Sequence, residues 1–453
     1  MTCLLELERY LKEIGQEAFI PTCALLKSTQ QQKLLAQLQK YPKEFLKELR
    51  RLPFVSKSPI KESIEPLEDI GAIKDPADLA DGEILIKQGK VACIILAGGS
   101  GSRLGGSKPK ALVSVTPVKR KSLLQLFCEK AAAASKSVKK ALPIAILTSP
   151  QNHEQILSYL KKQRNFGLKE GQLQIFQQQV MPLVNDDGQF ALNSRGVLAE
   201  GPDGNGGVWK PFVESGIWQK WRRKGVELVQ VVFIDNPLAN PFDANLFGFH
   251  SRQQAEIVVK AIPKLYEEEK VGTLVKLGGQ LRILEYTEIP ETIKNRKRAD
   301  GTLVYSYANV GLCFSMDFIK KAAAFSNRLP LHFVRKAFEK LEKKGKRLSK
   351  QKVFLLKGEK YLFDLLEFAT EAKALLYHRE EVYSPLKNAN GENSLETVQR
   401  SLENADQRQY FRVTGVAVEK TCFELDQAFY YPDSKLLKKW KGRSLPKRKY
   451  IKA

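Results

Sequence analysis

Apolar residues in the first fifty positions recur at helical spacing. Leu34, Leu35 and Leu38 are followed by Phe45, Leu46 and Leu49, with Lys, Gln and Glu between them, the period of amphipathic helices. Pro53, Pro59, Pro66 and Pro76 then punctuate a stretch without a period, which reads as a linker lying on the main domain. From Lys90 the pattern changes. Val91–Ala97 (VACIILA) is a continuous apolar run ending in glycines, as in a strand buried on both faces. Ser122–Ala134 repeats as a helix, Leu142–Thr148 (LPIAILT) is a second buried strand, and a helix carrying Ile156, Leu157 and Leu160 follows. Gln172–Phe176 and Glu227–Ile234 (ELVQVVFI) add two strands, the second running into Asp235. Strand alternating with helix predicts an α/β fold, a mostly parallel Rossmann-like sheet with helices on both faces. The division expected is a helical N-terminal region and linker over 1–89, a main domain over 90–390, and a small C-terminal α+β region over 391–453 that ends in a basic tail.

Composition changes this picture in one respect. A hydrophobic content of 43% across 453 residues is that of an ordinary globular chain. No run approaches the roughly 18 apolar residues of a membrane-spanning helix. The start MTCLLELERYLKEIGQ lacks a basic segment before an apolar run, so neither a signal peptide nor membrane attachment is expected. The six cysteines are scattered, form no CxxC pair and stand near no histidine at metal-ligand spacing. Reduced thiols in a cytoplasmic protein are the expectation. The net charge of +24 is the unusual property. Arg335–Lys352 holds nine basic residues against Glu339 and Glu342, and Lys435–Ala453 holds nine with no acid. A solvated helix face and a flexible tail are the plainest reading. Polyanion binding through counterion release is a second, and a field that draws in small anionic substrates is a third. Only Trp440 and Tyr450 interrupt the basic tail as stacking rings, so nucleic acid is not an expected partner.

Candidate chemistry begins at Leu96–Lys110, LAGGSGSRLGGSKPK. A glycine-rich turn between a buried strand and a helix aims backbone N–H groups at phosphate. Two familiar loops fail on spacing. A dinucleotide GxGxxG from Gly99 needs glycine where Leu104 stands. A Walker A loop from Gly101 needs lysine directly after Gly106, but Ser107 intervenes and Lys108 is one place late. What remains carries two fixed cations, Arg103 and Lys110, suited to holding a triphosphate and stabilising charge on a phosphoryl group in transfer.

This loop resembles the signature of the nucleotidyltransferases that make sugar nucleotides. Gly201–Gly207 (GPDGNGG) narrows the resemblance to the eukaryotic-type UDP-N-acetylhexosamine pyrophosphorylases. Phe176–Gln179 (FQQQ), Ile234–Asn236 (IDN), Glu285–Glu288 (EYTE), Ala308–Val310 (ANV), Tyr361–Asp364 (YLFD) and Ser384–Ala389 (SPLKNA) follow in that family's order. The resemblance spans roughly 90–390 and implies a nucleotidyltransferase sheet. It also implies transfer of uridylyl from UTP to a sugar 1-phosphate, N-acetylglucosamine 1-phosphate first and glucose 1-phosphate second. A polyanion-binding protein on the same scaffold is the reading from another class.

Roles follow from the resemblance residue by residue. Leu96, Gly98 and Gly99 would approach the uridine, and Gln178, or Gln177 beside it, would read the uracil edge with an amide that both donates and accepts. Gly204 would approach uracil or ribose. Arg103 and Lys110 would meet the triphosphate, and Lys387 the sugar phosphate. Asn205, Glu285 and Asn309 would bind the sugar, with Tyr361 and Phe363 walling it or its acetyl group. Asp235 ends a buried strand, where ligands of open α/β sheets collect, and would hold Mg²⁺ together with the phosphates. Ser102 stands where relatives carry Thr, SYAN replaces NAGN, and Tyr361 replaces Phe. These departures leave the sugar open among N-acetylglucosamine, N-acetylgalactosamine and glucose. His153, His250, His332 and His378 receive no role.

Overall fold

The computed structural model describes residues 2–51, 63–73, 75–99, 101–105, 108–345, 347–418 and 421–453. Pro53 and Pro59 of the linker, and Ser100, Gly106 and Ser107 of the glycine loop, lie outside the described residues. The chain divides into two compact units. One comprises Met1–Ser63, Gln179–Gly207 and Arg328–Leu362; the other comprises Ile64–Gln178, Val208–Asn327 and Phe363–Ala453.

The larger unit is built on strands β1 (Val91–Leu96), β2 (Ile144–Thr148), β3 (Leu173–Gln177), β4 (Leu228–Phe233), β5 (Ile257–Pro263), β6 (Tyr307–Ser315) and β7 (Ala372–Leu376). Their spatial order is β7-β5-β6-β4-β1-β2-β3. Every residue of β1 and β2 is buried, as a parallel sheet covered on both faces requires. Helix Leu123–Ser137 covers one side, its first turn capped by the Ser122 hydroxyl accepting from the Gln125 amide. Helix His153–Lys162 buries Ile156 and Leu160.

The sheet is mostly parallel, as the pattern predicts, with one internal strand reversed. β6 runs antiparallel to both β4 and β5. The physical reason lies in the connection. Between β5 and β6 the chain forms the antiparallel ribbon Thr273–Leu277 and Gln280–Leu284 rather than a long covering helix, and without a crossover the next strand returns antiparallel. The β5–β6 register slips between Lys260 and Ala261, and the Asn309 side-chain oxygen accepts from the Gly311 amide at the slip, 3.0 Å.

Both basic segments are folded. Arg335–Lys352 lies in a long hairpin, His332–Lys344 paired with Arg347–Glu359, and not on a helix face. Leu341, Leu348 and Leu356 of the hairpin pack on the N-terminal core of Leu7, Leu11, Leu34 and Leu38 within the smaller unit, while Arg335 and Lys350 pair with Asp186 and Glu339. Phe338, Leu341 and Leu348, set among the charges, are the packing positions that a count of charges hides. The C-terminal stretch is also no loose tail. Helix Ser434–Trp440 and the parallel pair Glu424–Leu425 with Tyr450–Ile451 enclose a core of Tyr410, Phe429, Trp440 and Ile451.

His250 sits 1% exposed on helix Ala244–Arg252, and burial pushes its imidazole down to about 4 from an ordinary 6.5. The unfolded chain therefore binds the extra proton first on acidification. The stability tied to the neutral ring is fully present above pH 6.5 and is lost as pH falls towards 4, by about 3 kcal/mol. Urea unfolding across this range should show a steeper loss in the native chain than in His250→Gln. Parallel pH profiles for the two chains would exclude His250 as the cause.

Candidate active site

In the larger unit the parallel strands end level with one another. Leu96 is in register with Leu147 on one side and Phe233 on the other, and Thr148 with Gln177. The segments leaving these ends are 97–110, 149–152, 178 and 234–236, so the glycine loop, Gln178 and Asp235 share the carboxyl edge of the sheet. That edge is where open α/β sheets bind ligands.

The glycine loop folds back on itself here. Gly101 adopts φ +73°, and a Cβ on it would press on the Lys108 carbonyl oxygen and the Lys110 amide at 3.2 Å. A side chain would thus strain the turn and push Lys110 outwards. The Asn152 side chain, 3% exposed, donates to the Ala97 carbonyl at 2.8 Å and accepts from the Ser149 amide at 2.9 Å, tying the loop's start to the end of β2. Gly98 leaves room for Gln178, whose Oε1 would lie 2.6 Å from a Cβ there. Leu96 is buried, Gln177 is exposed at its strand end, and Arg103 is exposed on the short turn Ser102–Leu104.

Lys110, Asp235 and Lys387 come together. Lys110 Nζ lies 3.6 Å from Asp235 Oδ2, both side chains mostly buried. The 382–386 segment is stitched to the turn after β4 by three bonds. The Leu386 amide donates to the Asp235 carbonyl (2.7 Å), the Ser384 amide donates to Asn236 Oδ1 (3.0 Å), and Asn236 Nδ2 donates to the Val382 carbonyl (2.7 Å). These bonds carry Lys387 to its place, where Nζ donates to the Tyr383 hydroxyl at 3.2 Å. Burial alone would lower the Lys387 pKa, but Tyr383 and then Asp235 outweigh it and hold the ammonium above its ordinary range. No ion pair joins Arg103 to this group among the described residues. Asn236, Tyr383 and Asn152 escape the sequence reading. Asn236 closes the quoted IDN motif without a role assigned to it and Tyr383 precedes SPLKNA, whereas nothing in the sequence marks Asn152.

The remaining residues of the larger unit occupy other elements. Glu285 follows strand Gln280–Leu284 in a turn closed by the Glu285 amide on Glu288 Oε2 (3.0 Å) and the Glu288 amide on the Glu285 carbonyl (2.8 Å). Asn309 is at the β5–β6 slip described above, and Phe363 is buried.

In the smaller unit, two motifs far apart in sequence interlock. Gly204 bridges to Lys360, the Gly206 amide donates to the Lys360 carbonyl (2.9 Å), and the Lys360 amide donates to the Asp203 carbonyl (2.8 Å). Asn205 Oδ1 accepts from the Leu362 amide at 2.8 Å. GPDGNGG is therefore seated on Lys360–Leu362, by backbone bonds at Lys360 and the Asn205 side chain at Leu362, and the Tyr361 ring lies against His332 with centroids 4.4 Å apart. Gly204 has φ +90°, and a Cβ would collide with the Lys360 amide nitrogen and carbonyl oxygen. Gly204→Ala should destabilise the smaller unit by about 3 kcal/mol, from strain plus the displaced strand contact. An unchanged urea midpoint would show that the contact is dispensable.

Among the described residues no cluster of three or more His, Cys, Asp or Glu could hold a metal ion. A single carboxylate fits Mg²⁺ carried in by phosphates, since that ion usually takes one or two protein carboxylates alongside phosphate oxygens and water. Asp235 meets that requirement.

An open, mostly parallel sheet with its glycine loop after β1 and a Lys–Asp–Lys group at the carboxyl edge defines the nucleotidyltransferase type of α/β fold. The sequence profile of the UTP–glucose-1-phosphate uridylyltransferase family matches residues 38–423. UDP-N-acetylglucosamine diphosphorylase 2 of Arabidopsis thaliana is 32% identical over 323 residues, covering 68% of this chain and 63% of that protein. UDP-N-acetylhexosamine pyrophosphorylase-like protein 1 of Homo sapiens is 33% identical over 313 residues, covering 67% and 62%. The matched stretch is thus just under two thirds of either relative's length. The solved uridine diphosphate N-acetylglucosamine pyrophosphorylase of Trypanosoma brucei shares the fold with a TM-score of 0.79 at 24% identity, covering 100% of this chain and 98% of that one. The chain belongs to the UTP–glucose-1-phosphate uridylyltransferase family, on the branch of the UDP-N-acetylhexosamine pyrophosphorylases.

Proposed function

We propose that this protein joins UTP to a sugar 1-phosphate, releasing pyrophosphate and forming a UDP-sugar, with N-acetylglucosamine 1-phosphate as the acceptor. The observation that carries the reading is the meeting of Lys110, Asp235 and Lys387 at the carboxyl edge of the sheet. A phosphate oxygen of the sugar 1-phosphate attacks the α-phosphorus of UTP as the bond to the β-phosphate oxygen breaks, and the electron pair leaves on pyrophosphate. The attacking oxygen is already an anion, so no side chain need serve as nucleophile. Catalysis is positioning and charge neutralisation.

Lys110, with Arg103 on the same loop, faces the triphosphate and the charge growing on pyrophosphate. Lys387 fixes the sugar phosphate for attack in line, and its raised pKa keeps it charged at neutral pH. Gln178, against Gly98, reads the uracil edge, with Gln177 as the neighbouring candidate. Mg²⁺ held at Asp235 with the phosphates would neutralise charge on the leaving group. Glu285, Asn309 and Phe363 in the larger unit, and Gly204, Asn205 and Tyr361 in the smaller one, take the uridine and sugar roles that the resemblance implies. Asn205 Oδ1 and Asn309 Oδ1 already accept backbone amides, so each would offer its amide nitrogen to the ligand.

The relatives' names support N-acetylglucosamine over glucose. No helix among the described residues is long and apolar enough to cross a membrane, and the free thiols of Cys23, Cys93, Cys128 and Cys313, all buried, support a reducing, cytoplasmic setting. Pyrophosphate release from UTP with each sugar 1-phosphate is the deciding assay. Turnover with none of them would end the enzymatic reading; equal turnover with the glucose and N-acetylglucosamine compounds would end the sugar assignment.

A further inference from the structure

Lys110 opens a short turn, Lys110–Leu112, and the chain then runs through a return loop, 113–122, before entering helix Leu123–Ser137. The loop's base is tied to the lysine. The Val113 amide donates to the Lys110 carbonyl and the Leu123 amide donates to the Val113 carbonyl, each at 3.0 Å, and Ser114 bridges to Ser122. Its tip is held from about 300 residues further along the sequence. Glu424, 3% exposed, accepts through Oε2 from the Lys119 amide at 2.8 Å and the Val118 amide at 3.3 Å. Its Oε1 lies 3.2 Å from Lys121 Nζ, an ionic contact without hydrogen-bond alignment.

Lys121, 4% exposed, also meets Glu129 at 2.9 Å and the Tyr450 hydroxyl at 3.3 Å. The Tyr450 ring lies 4.9 Å from the Lys119 ammonium and 4.8 Å from that of Lys121. Burial pulls the Lys121 pKa down, but Glu129, Tyr450 and Glu424 together outweigh it and raise it above the ordinary lysine range. Glu424 and Tyr450 are themselves partners in the parallel pair that closes the C-terminal core. Buried ion pairs of this kind add little net stability over apolar packing, and their best-attested use is to fix one geometry.

We infer that Glu424, acting with Lys121 and Tyr450, is a positioning group for Lys110, holding the return loop so that the lysine stays aimed at the carboxyl edge of the sheet. The inference rests on the role proposed for Lys110. Displacement of a catalytic cation by even 1 Å is costly to rate, so Glu424→Ala in the full chain should lower kcat about tenfold while KM for the sugar 1-phosphate stays within about twofold. Glu424→Gln keeps an oxygen for the two amides and loses the charge facing Lys121. It should fall about threefold, and it decides the matter if the alanine variant does not fold.

Each substitution is also combined with Lys110→Ala. A positioning role predicts no further loss in the double variants, whereas a merely structural role predicts that the losses multiply. Full turnover per folded molecule in Glu424→Gln, or multiplied losses, would overturn the inference. If Lys110→Ala itself turns over normally, the failure belongs to the proposed function. If Lys110→Ala is slow and the Glu424 variants are fast, only the positioning role fails.

Discussion

Replacing Lys110 with alanine should cut turnover by about two to three orders of magnitude while the fold persists, the usual cost of removing one preorganised stabiliser of transition-state charge. The side chain is mostly but not fully buried and faces Asp235, itself in reach of solvent, at 3.6 Å, so its loss strands no fully buried charge. The turn around it is held by backbone contacts, including the Lys110 amide on the Gly99 carbonyl, and these remain in the variant. Steady-state kinetics of pyrophosphate release, with the unfolding midpoint as the control, would check both halves. A near-normal rate would refute the assignment of this loop to the triphosphate.

Asp235→Asn should lower turnover by about a hundredfold and raise the Mg²⁺ concentration for half-maximal rate about tenfold or more. Two effects act together. The amide is a weaker partner for a hard cation, and Lys110 loses the carboxylate that faces it. The backbone bond from the Leu386 amide to the Asp235 carbonyl does not depend on the side chain, so Lys387 should keep its place. An unchanged Mg²⁺ requirement with reduced turnover would mean that Asp235 serves only to orient Lys110.

Legibility in the sequence varied with the kind of signal. β1, β2 and β4 are marked by runs rich in Val, Ile and Leu, since burial on both faces leaves few polar positions, Gln230 and Thr148 among them, to blur the pattern. The reversal of β6 was not marked, because a strand's direction depends on how the chain returns to the sheet, and its residues look alike either way. The basic stretch 335–352 reads as a solvated helix face because charges dominate its count, and it folds as a hairpin. Phe338, Leu341 and Leu348 within it, with Val353 and Leu355 just beyond, pack into the cores of the smaller unit and decide its structure. The C-terminal segment reads as a tail by its lysines, while Leu436, Trp440 and Ile451 close a core whose other buried members come from 410–429.

The sequence alone was enough for the α/β sheet, the glycine loop after its first strand, and the family, because each is written in local period, spacing or motif order. Tertiary structure alone decided which charges meet. Lys110, Asp235 and Lys387 are up to 277 residues apart, and they are brought together by parallel register and by the bonds that lay 382–386 on the turn after β4. It also decided that GPDGNGG rests on the segment around Lys360, and that Glu424 reaches back to the loop beyond Lys110. Local preference cannot encode such contacts, since each depends on where the rest of the chain has folded.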